Sequence, residues 1–290
     1  MVGEFEQGVG ESVHRAGDVP HGPGALSRRL RELAAERENA ALFFDVDGVL
    51  APICPLPGDA AVPEPVREAL SRLVRSFRLV AVVSGRSAHD VALMLAVAGV
   101  TIAGDHGATI VQDGVEISSV PPELLGRLEA AARRLAFDGR LQEAGVRVEV
   151  KAASIALHSR GAADLAEAME VAAAAAEAAA AAFDLVHHRG RAVVDLRSPD
   201  ADKGSAVRRL VLDTGVRAAL YVGDDRTDID AMQALRLLEK EGTAPLRSLL
   251  VGVASDEMPS GLAEAADFLI SQSEVLSLLR ALERSSAEAP

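Results

Sequence analysis

Tryptophan is absent, tyrosine occurs once and phenylalanine seven times, so aromatic residues make up only 3% of this 290-residue chain. Ligand recognition by stacking on an exposed aromatic platform is therefore disfavoured, and hydrogen bonding has to dominate. The single cysteine, Cys54, excludes an internal disulfide and suits a small buried filler better than a reactive thiol. Basic residues number 30 against 43 acidic ones, a formal charge of −13 that argues against nucleic acid or an anionic membrane surface as partner. No long uncharged apolar run occurs. The most alanine-rich stretch carries Asp164, Glu167, Glu170 and Glu177, so no membrane-spanning helix is expected. The start, Met1-Val2-Gly3-Glu4-Phe5-Glu6, lacks the basic flank and apolar core of a secretory signal, and a cytoplasmic setting is expected. Residues 1–24, rich in Gly, Pro and charge, read as a flexible leader in which His14 and His21 are incidental, and 284–290 as a tail.

What the sequence does hold is a hydrophobic content of 49%, ample for a packed core, and several apolar runs that end abruptly in polar residues. Ala41-Leu42-Phe43-Phe44 runs into Asp45-Val46-Asp47-Gly48. In a strand, residues i and i+2 share a face, so Asp45 and Asp47 project together where the strand ends. The carboxyl ends of strands in an open parallel sheet are where ligands bind. Two acids there can divide the work as nucleophile and as general acid and base, an arrangement suited to phosphate-ester chemistry supported by magnesium. Leu79–Val83 leads likewise into Ser84-Gly85-Arg86, and Ala218–Val222 into Gly223-Asp224-Asp225-Arg226-Thr227-Asp228. Val100–Ala103 leads into Gly104-Asp105-His106-Gly107, and Asp202-Lys203-Gly204 opens a helical segment. Short strands alternating with helices predict right-handed βαβ crossovers and a doubly wound, Rossmann-like parallel sheet of class α/β.

Between residues 113 and 197 the pattern changes. Pro121–Ala144 reads as one helix, and Val146–Lys151 then alternates, with three valines on one face and Arg147, Glu149 and Lys151 on the other. Ile155 and Leu157 alternate with His158 and Arg160, a long alanine-rich helix spans Ala162–Ala182, and two strand-like runs close the segment. Alternation of this kind marks a sheet covered on one side. The segment is therefore expected to be an inserted α+β cap, dividing a core of residues 25–112 and 198–283.

The strings DVDGVLAPI, SGR, GDHGA, VEVKAASIALHSR, DKGSAV and GDDRTDIDAM stand in the motif order of haloacid dehalogenase-superfamily phosphatases. Together they resemble the trehalose-6-phosphate phosphatase family, over roughly residues 40–270. The resemblance implies magnesium-dependent hydrolysis of trehalose 6-phosphate to trehalose and phosphate through an aspartyl-phosphate intermediate. Asp45 would be the nucleophile and Asp47 the acid and base. Magnesium would be held by Asp45, the Asp47 backbone carbonyl and Asp224, with Asp225 and Asp228 in an outer layer. Ser84 would bond a phosphoryl oxygen and Lys203 would neutralise charge on the phosphoryl group and on Asp45. Gly48, Arg86, His106, Glu149, Lys151, His158 and Arg160 would serve substrate binding. For Arg86, contact with phosphate or sugar and pairing with an acid of the metal cluster stand equal. The family usually has Glu at the positions of Ile229 and Asp195, and often at Thr109, which weakens the assignment of the sugar. Alternatives are a phosphatase for sucrose phosphate or a glycosyl phosphoglycerate, and a catalytically silent domain that senses a sugar phosphate or supports a trehalose-phosphate synthase.

Overall fold

The computed structural model describes residues 24–54, 59–118, 122–151, 153–190, 192–199, 202–242, 246–256 and 258–288. The expectations for the leader, apart from Gly24, and for Pro121 and the last two residues of the tail lie outside the described residues. The chain divides into two compact units: one runs up to Ile117 and resumes at Asp202, and the other spans Ser118–Ala201.

In the first unit, α1 (Ala25–Ala35) precedes β1 (Ala40–Phe44), α2 (Glu64–Leu73), β2 (Leu79–Val83), α3 (Ala88–Leu95), β3 (Thr101–Gly104), β4 (Thr109–Gln112) and β5 (Val115–Ser118). The second unit contributes α4 (Pro122–Ala136), α5 (Gly139–Glu143), β6 (Arg147–Val150), β7 (Ser154–His158), α6 (Leu165–Phe183), β8 (Val186–Gly190) and β9 (Val193–Arg197). The first unit then resumes with α7 (Lys203–Thr214), β10 (Ala218–Gly223), α8 (Arg226–Glu241), β11 (Arg247–Ala254), α9 (Leu262–Ala265), β12 (Phe268–Ser271) and α10 (Val275–Glu288).

The large sheet has the order β12-β11-β10-β1-β2-β3-β4-β5, parallel from β12 to β3. Chain order therefore reverses between β1 and β10, the topological switch point at which doubly wound sheets open a ligand crevice. Both faces of the sheet are covered, which is why β1, β2 and β10 read as continuous apolar runs and are buried throughout. Leu42, Phe44, Val80 and Val222 join one apolar cluster with residues of α1, α2 and α10. Phe43, Ala81, Val83 and Tyr221 join another with residues of α7 and α8. Burying a side chain the size of Phe43 or Phe44 is worth about 1.5–3 kcal/mol, and a slip of one residue would exchange the two faces. The register that seats both rings also fixes where Asp45 leaves the sheet.

Two boundaries differ from the sequence reading. Asp113 and Gly114 both have positive φ, the backbone of a tight hairpin turn, and join β4 to β5 at the edge of the large sheet. The first unit consequently extends to Ile117, where residue 112 was expected, and the second ends at Ala201. The helix expected over Pro121–Ala144 is two helices. Asp138 interrupts it by accepting a hydrogen bond from the Arg140 N–H, a side-chain cap that starts α5.

The second unit is a four-stranded antiparallel sheet in the order β6-β7-β9-β8. Ile155, Leu157, Val194 and Leu196 pack with α4 and α6 on one face. Val148 is partly buried against them, whereas Val150, at the end of edge strand β6, is 58% exposed. The expected valine face is thus only partly covered.

Candidate active site

Strand β1 ends at Phe44, and the Asp45 N–H still bonds to the Val222 carbonyl of β10 at 3.0 Å. The sheet therefore sets the direction in which the Asp45 carboxylate leaves. Beyond it the chain turns sharply: the N–H groups of Gly48 and Ala51 bond to the carbonyls of Ala51 and Val46, each at 2.8 Å. Gly48 has φ +82°, and a Cβ there would run into the Asp224 carboxylate. Only glycine combines that backbone with so close an approach of the turn to the end of β10.

Lys203 opens α7 and is buried, with its Nζ 3.0 Å from Asp45 Oδ1, 2.8 Å from Asp228 Oδ1 and 3.7 Å from Asp225 Oδ1. Asp225 caps α8: its Oδ1 accepts bonds from the N–H and hydroxyl of Thr227 and from the Asp228 N–H. Asp228 returns the cap, its Oδ2 accepting the N–H groups of Asp224 and Asp225 at 2.8 and 2.9 Å. Its Oδ1 takes both Lys203 and the Tyr221 hydroxyl, the latter at 2.6 Å.

One lysine thus faces four aspartates. Burial pushes Asp45 well above the usual carboxylate range; Lys203 opposes the shift and Asp228, Asp225 and Asp224 reinforce it. Burial and then Asp228 and Asp225 push Asp224 up to about 8. Burial, opposed by Lys203, raises Asp228 to about 6. Asp225 goes the other way: despite burial, Lys203, Thr227 and the Asp228 N–H bring it to about 2. Lys203 is itself desolvated, yet Asp225, Asp228 and Asp45 hold its pKa well above normal. The arrangement is short of positive charge.

It also has the shape to receive a cation. Oxygens of Asp45, Asp224 and Asp228 lie within 4.8 Å of one another, and Asp224 Oδ1 is buried without a hydrogen-bond partner among the described residues. Buried carboxylates this close repel unless a cation joins them, and such hard oxygen donors fit a divalent ion. The residues present fit a metal ion.

Arg86, after β2, makes a parallel pair with Asp47, Nε to Oδ2 at 2.6 Å and Nη2 to Oδ1 at 2.8 Å. Ser84 is buried at the end of β2, where its Oγ accepts the Arg86 N–H at 3.2 Å. After β3, Asp105, His106 and Gly107 all have positive φ, and the N–H groups of Asp105 and His106 bond to the carbonyls of Arg86 and Ser84. A Cβ on Gly85 would lie 2.6 Å from His106 Cε1, so the imidazole occupies the space that Gly85 leaves open. The ends of β1, β2, β3 and β10, with the first turns of α7 and α8, thereby bring together Asp45, Asp47, Gly48, Ser84, Arg86, His106, Lys203, Asp224, Asp225 and Asp228.

A model of the trehalose-phosphatase family matches residues 43–255. The chain belongs to that family. A trehalose-phosphate phosphatase of Mycobacterium avium is 33% identical over 251 residues, covering 81% of this chain and 61% of its own length. An uncharacterized glycosyl hydrolase of Mycobacterium tuberculosis is 34% identical over 239 residues, covering 79% of this chain and 18% of its own length. The chain therefore spans less than two thirds of these relatives. The C-terminal domain of Candida albicans trehalose-6-phosphate phosphatase shares the fold, with a TM-score of 0.72 at 20% identity over 89% of this chain and 96% of that one.

Within the second unit of this trehalose-phosphatase family member, Glu149 Oε2 lies 2.6 Å from His158 Nε2. Register places Glu149, Ala156, Asp195 and His188 in one row across β6, β7, β9 and β8. Burial raises the Asp195 pKa, against the opposing charges of Lys151, His158 and Arg197. Arg160 lies in an exposed turn after β7. Ile229 and Thr109 are both buried, Ile229 in the apolar cluster around Tyr221. Sequence reasoning did not count Asp195 or Tyr221 among the site residues. Asp195 had a signal in the alternation of Val193-Val194-Asp195-Leu196, but a tyrosine inside an apolar strand reads as core.

Proposed function

We propose that the chain hydrolyses trehalose 6-phosphate to trehalose and phosphate. The observation that carries the reading is the meeting of Asp45, Lys203 and Asp224 at the β1/β10 switch point of a trehalose-phosphatase family member. A carboxylate oxygen of Asp45 attacks phosphorus and the bond from phosphorus to the sugar oxygen breaks, leaving an aspartyl phosphate. Asp47, positioned by Arg86, carries a proton once one of its oxygens is released from the guanidinium, and gives that proton to the departing sugar oxygen. It then takes a proton from the water that attacks the same phosphorus and releases phosphate from Asp45. Lys203 neutralises charge on the nucleophile and the phosphoryl group, and the Ser84 hydroxyl donates to a phosphoryl oxygen. Magnesium held by Asp45, Asp224 and the Asp47 carbonyl would supply further charge neutralisation. Asp228, whose oxygens are taken up by Lys203, Tyr221 and two backbone N–H groups, and the helix-capping Asp225 belong to the surrounding layer.

The pairing of Glu149 with His158, and the shared electrostatics of both with Asp195 and Lys151, support sugar recognition by Glu149, Lys151 and His158, with carboxylates accepting from hydroxyls and the ammonium donating. A trehalose-phosphate synthase would supply the substrate. The reading includes a cytoplasmic setting, and among the described residues no helix is long and apolar enough to cross a membrane. The shorter acid at Asp195 favours one second reading, a neighbouring sugar phosphate. Phosphate release from trehalose, sucrose, glucose and mannosylglycerate phosphates tests both. Preference for the trehalose ester supports the first, preference for another ester moves the assignment to that sugar, and release from none overturns both.

A further inference from the structure

Tyr221 is the chain's sole tyrosine, it is fully buried, and its hydroxyl hydrogen has an unusual destination. The ring sits mid-strand in β10, in register between Phe43 of β1 and Leu250 of β11. It belongs to the apolar cluster on the face that packs against α7 and α8. Among such neighbours a phenylalanine would pack equally well, so the hydroxyl needs a separate reason. It donates to Asp228 Oδ1 at 2.6 Å, the same oxygen that receives Lys203 Nζ at 2.8 Å. Asp228 Oδ2 is occupied by the Asp224 and Asp225 N–H groups, so the carboxylate is held on both oxygens.

We infer that Tyr221 is a positioning residue for phosphoryl transfer, acting through Asp228 to keep the Lys203 ammonium on Asp45. The inference rests on the proposed roles of Asp45 and Lys203. Two donors sharing one oxygen each hold it less tightly than either would alone. The Tyr221 hydroxyl therefore limits how strongly Asp228 draws Lys203 to itself, and leaves ammonium charge for Asp45 and for the phosphoryl oxygens. It also locks the direction of Asp228 Oδ1. Without it the carboxylate has one strong donor at that oxygen, and Lys203 moves toward Asp228 and away from the nucleophile.

Tyr221→Phe removes the hydroxyl and keeps the ring. In magnesium buffer, kcat is expected to fall about tenfold for both trehalose 6-phosphate and a small aryl phosphate. The inhibition constant of orthovanadate, which becomes a five-coordinate mimic of the transferring phosphoryl group when an oxygen of the site adds to it, should rise by a similar factor, while that of inorganic phosphate stays within about twofold. A variant that merely folded less well would lose active molecules without changing either inhibition constant. Unchanged kcat, or a fall in kcat with unchanged vanadate inhibition, overturns the inference. In an Asp228→Asn background, Tyr221→Phe should cost nothing more; a further full loss there also overturns it. Should the Phe variant prove unstable, incorporated 3-fluorotyrosine labels this position alone. Its single fluorine resonance must shift in a Lys203→Met protein, and a fixed resonance refutes the link. Turnover by Asp45→Asn would instead overturn the assignment of the nucleophile, whatever Tyr221→Phe does.

Discussion

Arg86 holds Asp47 by both carboxylate oxygens at once, at 2.6 and 2.8 Å. A parallel pair of charge-assisted bonds fixes the plane of the carboxylate as well as its position. Both groups are partly exposed, so solvent weakens the pair, and its value lies mainly in orientation. Arg86→Ala should lower kcat by about ten- to a hundredfold with a smaller change in KM. Arg86→Lys should recover only part of the loss, because an ammonium cannot form the parallel pair. Steady-state kinetics decide the matter: a rise in KM at constant kcat would mean that Arg86 binds substrate.

Asp45→Asn should lower phosphate release by at least about a thousandfold while circular dichroism and the melting profile stay native. The side chain is buried and short of positive charge, so a neutral amide of the same shape is tolerated. Substantial release by this variant would remove Asp45 from its role.

Metal removal should make stability depend on pH in a defined sense. Burial and neighbouring carboxylates raise Asp224 to about 8, and burial raises Asp228 to about 6, both above the ordinary 3.8. Between those values the folded chain holds protons that the unfolded chain has released. The contribution is fully present below about pH 4 and is lost as pH rises through 6 and 8. With a chelator present, the melting temperature should therefore fall from pH 5.5 to 8.5, and added magnesium should restore it most at the alkaline end. Melting curves indifferent to magnesium at pH 8.5 would count against a cation among these carboxylates.

Recognition and chemistry should separate in the double variant Glu149→Ala, Lys151→Ala. Each lost hydrogen bond to a charged group is worth about 1.5–3 kcal/mol, so kcat/KM for the disaccharide phosphate should fall roughly a hundredfold or more. A small aryl phosphate makes neither contact and should be hydrolysed nearly as before. An equal fall for both substrates would indicate a defect in folding or in the phosphate site.

The strand-end motifs were legible because each follows an apolar run buried on both faces, so Asp45, Ser84 and Asp224 could be placed on one sheet edge from sequence. The partners were less legible. For Arg86 the sequence left phosphate, sugar and the metal acids open, since pairing across loops depends on loop geometry that no periodicity encodes. The β4–β5 hairpin announces itself in Asp113-Gly114, but its antiparallel strands resemble the start of the insert and not the end of a parallel sheet. The break at Asp138 lies within an otherwise helical pattern, and a single capping side chain decides it. Val150 alternates correctly and is nevertheless exposed, because alternation gives the face of a strand and not how far the opposite layer reaches.

Ala40 of β1 pairs with Ala218 of β10, with the whole of the second unit lying between them in the chain. During synthesis β1 leaves the ribosome long before the partner that flanks it on one side. Until β10 arrives, that edge is an open row of amide and carbonyl groups beside two phenylalanines, a surface prone to pairing with other chains. Contacts so distant in sequence close slowly, whereas the antiparallel sheet of Ser118–Ala201 closes over shorter loops. The nascent protein can thus complete its insert while the strand that leads into Asp45 still waits, and chaperone demand should be highest in that interval.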